Sequence, residues 1–272
     1  MRLRAPFLFL FLLLPGSVLA ATERVVEWGV VRDVVDGDTL ILENGEAVRL
    51  AGIQAPTLSL GRVGVASQPL AGAAKKALAD LALGRKIQLH FFGRHRDRHG
   101  RLLAHLFVSG HDRDSQSRDS QSRDDGEWLQ GKLLERGLAR VYSFADNRVR
   151  IAAMLALERK ARAEKRGIWA HPFYRVLDVD GAAGHLSRFA LVTGRVQKAL
   201  VVKGRGYLNF GDDWRTDFTI AISPKARRVF ERDGIDIRAY ADKHVRVRGW
   251  VKRFNGPMIE VTHPEQIEIL EQ

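Results

Sequence analysis

The run Asp36-Gly37-Asp38-Thr39 places two carboxylates two residues apart. On a strand that spacing aims both at one point, because alternate side chains share a face; the same four residues also suit a turn that enters a strand. Three further motifs follow in order. They are Arg49-Leu50-Ala51-Gly52-Ile53-Gln54-Ala55-Pro56, then Asp97-Arg98-His99-Gly100-Arg101-Leu102-Leu103-Ala104, then Gly131 to Val141 with Arg166-Gly167-Ile168-Trp169 closing the series. His95 and His99 have a zinc-like spacing, but they lie among Arg94, Arg96, Arg98 and Arg101 with Asp97 as the one nearby carboxylate. A cationic loop repels a metal ion, so Arg98 and His99 read better as phosphate-facing. Near the C-terminus Tyr207 and the run Arg246, Arg248, Trp250, alternating on one strand, set arginines beside aromatics. That pattern suits a nucleic-acid groove, where bases stack and phosphates pair; it equally suits an ordinary barrel with solvated arginines.

The four motifs, in this order and spacing over about residues 24–170, resemble the staphylococcal-type thermonuclease family. The resemblance implies an OB-like five-stranded barrel carrying three helices, and cleavage of DNA or RNA phosphodiesters, usually with calcium. It implies that Asp36 and Asp38 are the metal carboxylates, with the backbone of Ala55 as a further ligand. It implies that Arg49 and Arg101 clamp phosphate, each guanidinium offering a bidentate fork that stabilises developing charge. Two positions depart from the family. Gln54 stands where a second metal aspartate is expected, and Thr57 where the catalytic glutamate is expected; no Asp or Glu occurs from Ala47 to Ala79. Calcium draws on six to eight oxygens with carboxylates supplying charge, and a missing general base costs ~10²–10⁴ in rate. The expectation is therefore a nuclease with a degraded site and a weakened Ca²⁺ position, or a nucleic-acid-binding protein that keeps the groove.

The elements that must position these residues are mostly strands. Val25 to Val31, Thr39 to Leu42 and Ala47 to Leu50 are β-rich, and Asn44-Gly45 between the last two signals a hairpin. Ser67 and Pro69 open a helix through about Leu83, closed by Gly84. Strands follow at Ile87 to Phe92 and Leu102 to Val108, and helices at Trp128 to Arg136 and about Arg148 to Arg166, with Gly167 as a cap. Residues 113–125 carry a twice-repeated Arg-Asp-Ser-Gln-Ser, a solvated low-complexity loop. Residues 171–186 read as a linker. Beyond it, five short strands and one helix at about 224–233 fit a second small OB-like barrel over 187–272. The fold class is thus β-rich α+β, with the first domain at 21–170.

Composition is that of a globular protein, 45% hydrophobic and 28% charged, with a net charge of +12. Both halves are basic, which favours a polyanionic partner. Arg2 and Arg4, the apolar run Phe7 to Leu14, and Val18-Leu19-Ala20 have the layout of a secretory signal peptide cleaved after Ala20. Export to the periplasm or medium is the corresponding expectation, without stable membrane insertion. The chain has no cysteine, so no disulfide supports it.

Overall fold

The computed structural model describes residues 24–61, 63–109 and 126–270; the signal-peptide reading at 1–20 and the repeat at 113–125 lie outside them. In chain order the first half comprises β1 (Arg24–Asp36), β2 (Thr39–Leu42), β3 (Ala47–Leu50), β4 (Ile53–Gln54) and α1 (Ala71–Ala82). It continues with β5 (Lys86–Phe91), β6 (Leu102–Ser109), β7 (Gly126–Trp128), α2 (Leu129–Glu135), β8 (Arg140–Val141) and α3 (Ile151–Ala163). The long β1 serves two neighbours. Its first part pairs with β5 and its second with β2, with irregular register at Val31/Asp33 and Val34/Asp36. Such bulges sharpen the bend of a strand. Antiparallel β2–β3 and β5–β6 pairs and a parallel β3–β6 pair then close a five-stranded barrel. Leu40, Leu50, Ile53, Leu89 and Leu106 fill it, and α1 and α2 cover it with Leu78, Leu129 and Leu133.

Local chemistry explains where elements differ from expectation. The β2–β3 hairpin forms, but across residues 43–46, with Gly45 in the left-handed region (φ 85°) and Asn44 outside it. Asn44 instead accepts a hydrogen bond from the Glu46 N–H at 3.0 Å. α1 starts at Ala71 rather than near Ser67. The Ser67 hydroxyl accepts from the Ser59 N–H, and Gln68 exchanges backbone and side-chain bonds with Thr57. These residues therefore close a loop and do not cap a helix. Gly137 and Gly167 both have left-handed φ, and their backbones touch. A Cβ on either would lie 2.2 Å from a carbonyl oxygen of the opposite segment.

The second half contains β9 (Leu177–Asp178), β10 (Phe189–Arg195), β11 (Lys198–Val202), β12 (Arg205–Asn209), β13 (Thr219–Ile222), α4 (Pro224–Arg232), β14 (His244–Phe254), β15 (Gly256–Val261) and β16 (Ile267–Ile269). The strands form one curled sheet in the order β11-β12-β13-β15-β14-β10-β9, with β16 on β14. Leu208, Ile220, Phe230, Val247 and Ile259 form its core. Ser223 caps α4 by accepting the Ala226 N–H at 3.2 Å, and Pro224 occupies the first turn. Residues 171–186 are more than a tether. They supply β9, parallel to β10, and place Leu177 and Ala182 in the second core.

Charge holds the two barrels face to face. Arg248 on β14 is 1% exposed and donates to Glu158 of α3 at 2.6 Å and to Glu268 at 2.5 Å. Arg148 bridges to Glu265 and Asp233, each at 2.6 Å, and the Ser143 hydroxyl meets His263 at 2.7 Å. Burial works against the Arg248 charge, but Glu158 and Glu268 outweigh it and its pKa is raised. Removing one partner of such a pair costs ~3–5 kcal/mol, whereas apolar replacement of the whole set is often neutral. Arg248→Ala should therefore lower the free energy of unfolding by about 3–5 kcal/mol. Urea titrations of the variant against wild type measure this loss.

A second prediction concerns His105 on β6. It is buried between Phe92 and Trp128, and neither ring nitrogen has a partner among the described residues. Burial, with Arg150 and His90 nearby, drives its pKa from 6.5 down to about 3. The unfolded chain takes up a proton near pH 6.5 and the folded chain does not, so stability is lost as pH falls from 6.5 towards 3. His105→Phe should raise stability at neutral pH and flatten this acid loss in thermal melts between pH 7 and 4.

Candidate active site

The β1–β2 turn supplies the acidic centre. Asp36 and Asp38 do not lie side by side on a strand: the Asp36 carboxylate accepts the Asp38 N–H at 3.0 Å, making the tight turn that starts β2. Asp38 is buried. One of its oxygens accepts the Ala55 N–H at 2.9 Å, and the other meets the Thr39 hydroxyl at 3.2 Å. Burial raises the Asp38 pKa; the Arg49 charge works against that rise and the Asp36 charge adds to it.

Both arginines converge on this Asp38-Thr39 pair. Arg49 lies directly opposite Thr39 in the β2–β3 ladder, and its Nη2 sits 3.6 Å from Asp38 Oδ2. Arg101 donates from Nη1 to the Thr39 hydroxyl at 3.2 Å, across 62 residues of sequence. Asp97 orients Arg101 by accepting from its Nε at 2.8 Å and pairing with its Nη2 at 2.7 Å. Asp97 also accepts the His99 N–H, so Arg98 and His99 form an exposed turn beside Arg101. Both guanidiniums remain partly exposed.

The neighbouring positions carry different chemistry. The β4–β8 pair sets Gln54 opposite Arg140. The Gln54 amide oxygen accepts two N–H bonds from that guanidinium, at 3.2 and 3.0 Å. Arg140 lies over the Phe189 ring at 4.4 Å and donates to the Phe189 carbonyl, a group from the second barrel. Its burial pulls its pKa down to about 10. Thr57 donates its backbone N–H to Gln68 at 3.0 Å. Among the described residues no three His, Asp or Glu side chains come together as a metal cage.

The second-barrel residues divide. Arg248 is corrected outright: it is not a nucleic-acid contact, because Glu158 and Glu268 enclose it at the seam between barrels. Arg246 faces Glu268 across the β14–β16 pair and is half-buried. Trp250 is exposed and donates its indole N–H to the Tyr142 hydroxyl at 3.2 Å. Tyr142 in turn lies under Arg49, 5.9 Å from the guanidinium carbon. Tyr207 lies elsewhere, lining a cavity of the second sheet with Trp214 and Phe254. Strand alternation assigns Arg246, Arg248 and Trp250 to one face, but whether that face meets solvent depends on Glu158, 90 residues from Arg248. Arg140, Tyr142 and the buried Gln130 escaped sequence reasoning. Gln130 accepts the Leu106 N–H and donates to the Ala104 carbonyl, and no local pattern marks such a role.

Burial keeps part of Asp38's charge unfavourable. A carboxyl whose folded pKa is raised contributes stability at low pH that is lost as pH rises through that pKa. Asp38→Asn keeps an acceptor for the Ala55 N–H and removes the buried charge. It should raise the melting temperature at pH 7, with the gain shrinking in acid, as thermal melts between pH 7 and 4 would show.

Comparison with known proteins follows the same geometry. Residues 47–171 match the family described as Staphylococcal nuclease homologue. Endonuclease YncB of Bacillus subtilis (strain 168) is 31% identical over 143 residues, 52% of this chain and 60% of that protein. The SPbeta prophage-derived endonuclease YokF of the same strain is 32% identical over 143 residues, 52% of this chain and 43% of its own. The probable endonuclease LCL3 of Phaeosphaeria nodorum is 30% identical over 153 residues, 53% and 45% respectively. The match therefore spans about half the length of these relatives. With its five-stranded barrel and paired arginines over the Asp38-Thr39 turn, the first half of the chain is similar, over residues 47–171, to staphylococcal nuclease homologues.

Proposed function

We propose that the first barrel binds the phosphodiester backbone of DNA or RNA and hydrolyses it only weakly. One observation carries this reading: Arg49 on β3 and Arg101, in the loop that leads into β6, are both anchored on Asp38-Thr39 with their guanidiniums partly open. Two planar forks at one place suit a tetrahedral phosphate, and they stabilise added charge on it better than charge on its ground state. The endonuclease names of the relatives support a nucleic-acid substrate. The basic net charge of +12 favours encounter with a polyanion.

The hydrolytic step lacks two parts. Calcium, which the family resemblance implies, requires six to eight oxygens with several carboxylates. Here Asp36 is engaged in its own turn, Asp38 is buried with its oxygens in use, and Gln54 gives its amide oxygen to the cationic Arg140. That donor set does not fit the ion. Thr57 is no base near neutral pH, so a water at the phosphate has no group positioned to take its proton. What the chain's own residues do is hold phosphate and orient it. An exported location, from the leader-like first twenty residues, belongs to the same proposal and would put this activity on extracellular nucleic acid.

Digestion of single-stranded DNA with and without added calcium tests the reading. Wild type should be slow in both conditions, and Thr57→Glu should raise turnover within the ~10²–10⁴ range of a positioned base. A wild type that already cleaves as fast as Thr57→Glu overturns it. In binding titrations across a salt series, Arg49→Ala and Arg101→Ala should each lower the salt dependence by about one phosphate contact. Unchanged binding in both variants would remove the arginine clamp from the account.

A further inference from the structure

The second barrel presents a cavity of about 320 Å³ on the outer face of its sheet, away from its own core. The size lies at the low end of the ~300–1,000 Å³ typical of small-ligand sites. Three aromatic side chains, Tyr207, Trp214 and Phe254, line it. Trp214 is 50% exposed and Phe254 62%, so both rings keep surface open to solvent beside the cavity. The lining also contains two buried polar residues. Asn209 and Thr219 lie opposite each other in the β12–β13 ladder, and their side chains meet at 3.4 Å. That long contact leaves most of the Asn209 amide's donor and acceptor capacity for a guest.

Register supplies the charge of this face. Lys198 stands opposite Asn209, and Lys252 opposite Met258 of the cavity wall. Arg205 lies on the same face, two residues from Tyr207, and Arg215 stacks on the Trp214 ring at 4.5 Å. Against these cations the face sets Glu260, which Arg205 and Lys252 share at 3.5 and 3.4 Å. The neighbouring Asp213 and Asp217 accept backbone N–H groups of their own loop. A flat apolar slot, an amide and a hydroxyl inside it, and cations at its border, Lys198 among them with no acidic partner among the described residues, match an aromatic heterocycle carried on an anionic chain.

We propose that this cavity is a base-binding exosite, in which one unpaired nucleobase of DNA or RNA stacks on Trp214 and Phe254 while Asn209 reads its edge. The inference rests on the nucleic-acid reading of the first barrel and deepens it, because it makes the second barrel an anchor for single-stranded segments. Base stacking on an aromatic side chain tolerates every base, while phosphates are held by the border cations. Asn209 offers both a donor and an acceptor, which favours bases that present both on one edge.

The test compares two fluorescein-labelled probes by anisotropy in the presence of a chelator: a short single-stranded oligonucleotide, and an abasic strand of the same length and charge. Wild type should bind the base-bearing strand about tenfold more tightly, the size expected of one stacked base. Trp214→Ala and Phe254→Ala, both at exposed positions, should each remove most of that preference while leaving abasic binding within a factor of about two. Arg49→Ala should weaken both probes in parallel and keep the preference, so a failed phosphate clamp and a failed exosite give different patterns. Equal binding of the two probes by wild type overturns the proposal. So does a preference that survives in both aromatic variants, which would leave the cavity to a different guest such as an apolar peptide side chain. Thermal melts matching wild type confirm that the variants are folded.

Discussion

The buried carboxylate of Glu158 on α3 is the point from which the rest of the structure is fixed. It is fully enclosed and has three partners: the Val141 N–H of β8, Arg162 one turn along its own helix, and Arg248 of the second barrel. An anion in such a place is tolerable only if it is charge-paired and hydrogen-bonded on every side. That requirement fixes the position of β8, and β8 in turn fixes β4, its antiparallel partner. The Gln54–Arg140 contact at the candidate site is therefore set by an ion pair buried behind β8. Arg248, which supplies the strongest of these partners, must bring its own strand with it. The placement of the second barrel and the geometry at Gln54 are thus two results of one constraint.

Within the first barrel, a similar economy governs the arginines. Arg49 on β3 and Arg101, the residue just before β6, come together because β3 and β6 seal the barrel in parallel. A barrel with that seam open would keep every residue of both motifs and lose their convergence. Asp97 and Thr39 then hold Arg101 by hydrogen bonds, and Asp38 holds Arg49 in an ion pair at 3.6 Å, so the positions of both guanidiniums are set by the chain itself. Preorganisation of this kind carries most of the electrostatic benefit at a charge-developing site. Gln54 and Thr57 leave this cationic pair intact and put an amide and a hydroxyl where the family resemblance implies carboxylates.

What could be read from sequence followed distance along the chain. Asp36, Asp38, Arg49 and Arg101 were legible because each sits in a short motif whose order matches a known barrel, and the strands around them show clear apolar runs. The four helices were placed within a few residues, with the start of α1 displaced because Ser67 and Gln68 bond backward to the 57–59 loop instead of forward to a helix. Arg248 was misread for a physical reason: alternation along β14 gives the face of a side chain, but the identity of that face depends on an acid far away in sequence. Residues 171–186 look like a linker because Pro and Gly break their periodicity, yet a two-residue parallel strand and Tyr174 tie them down through contacts no local pattern encodes. Gln130 and Arg140 belong to the same class of polar residue whose partners come from remote segments.

The Phe189 carbonyl, which accepts a bond from Arg140, has a consequence for modularity. Cutting the chain after the first barrel would withdraw that acceptor, strip Arg140 of the ring it lies on, and leave Glu158 with Arg162 as its sole guanidinium. The exposed stump would carry a cation and an anion, both shaped for burial, on a face now open to water. The first barrel is accordingly not a cassette that can be transplanted by itself. Grafting its Asp38-Thr39 turn with both arginines onto another scaffold would require moving the seam chemistry as well, or rewriting Arg140 and Glu158 as residues at ease in solvent.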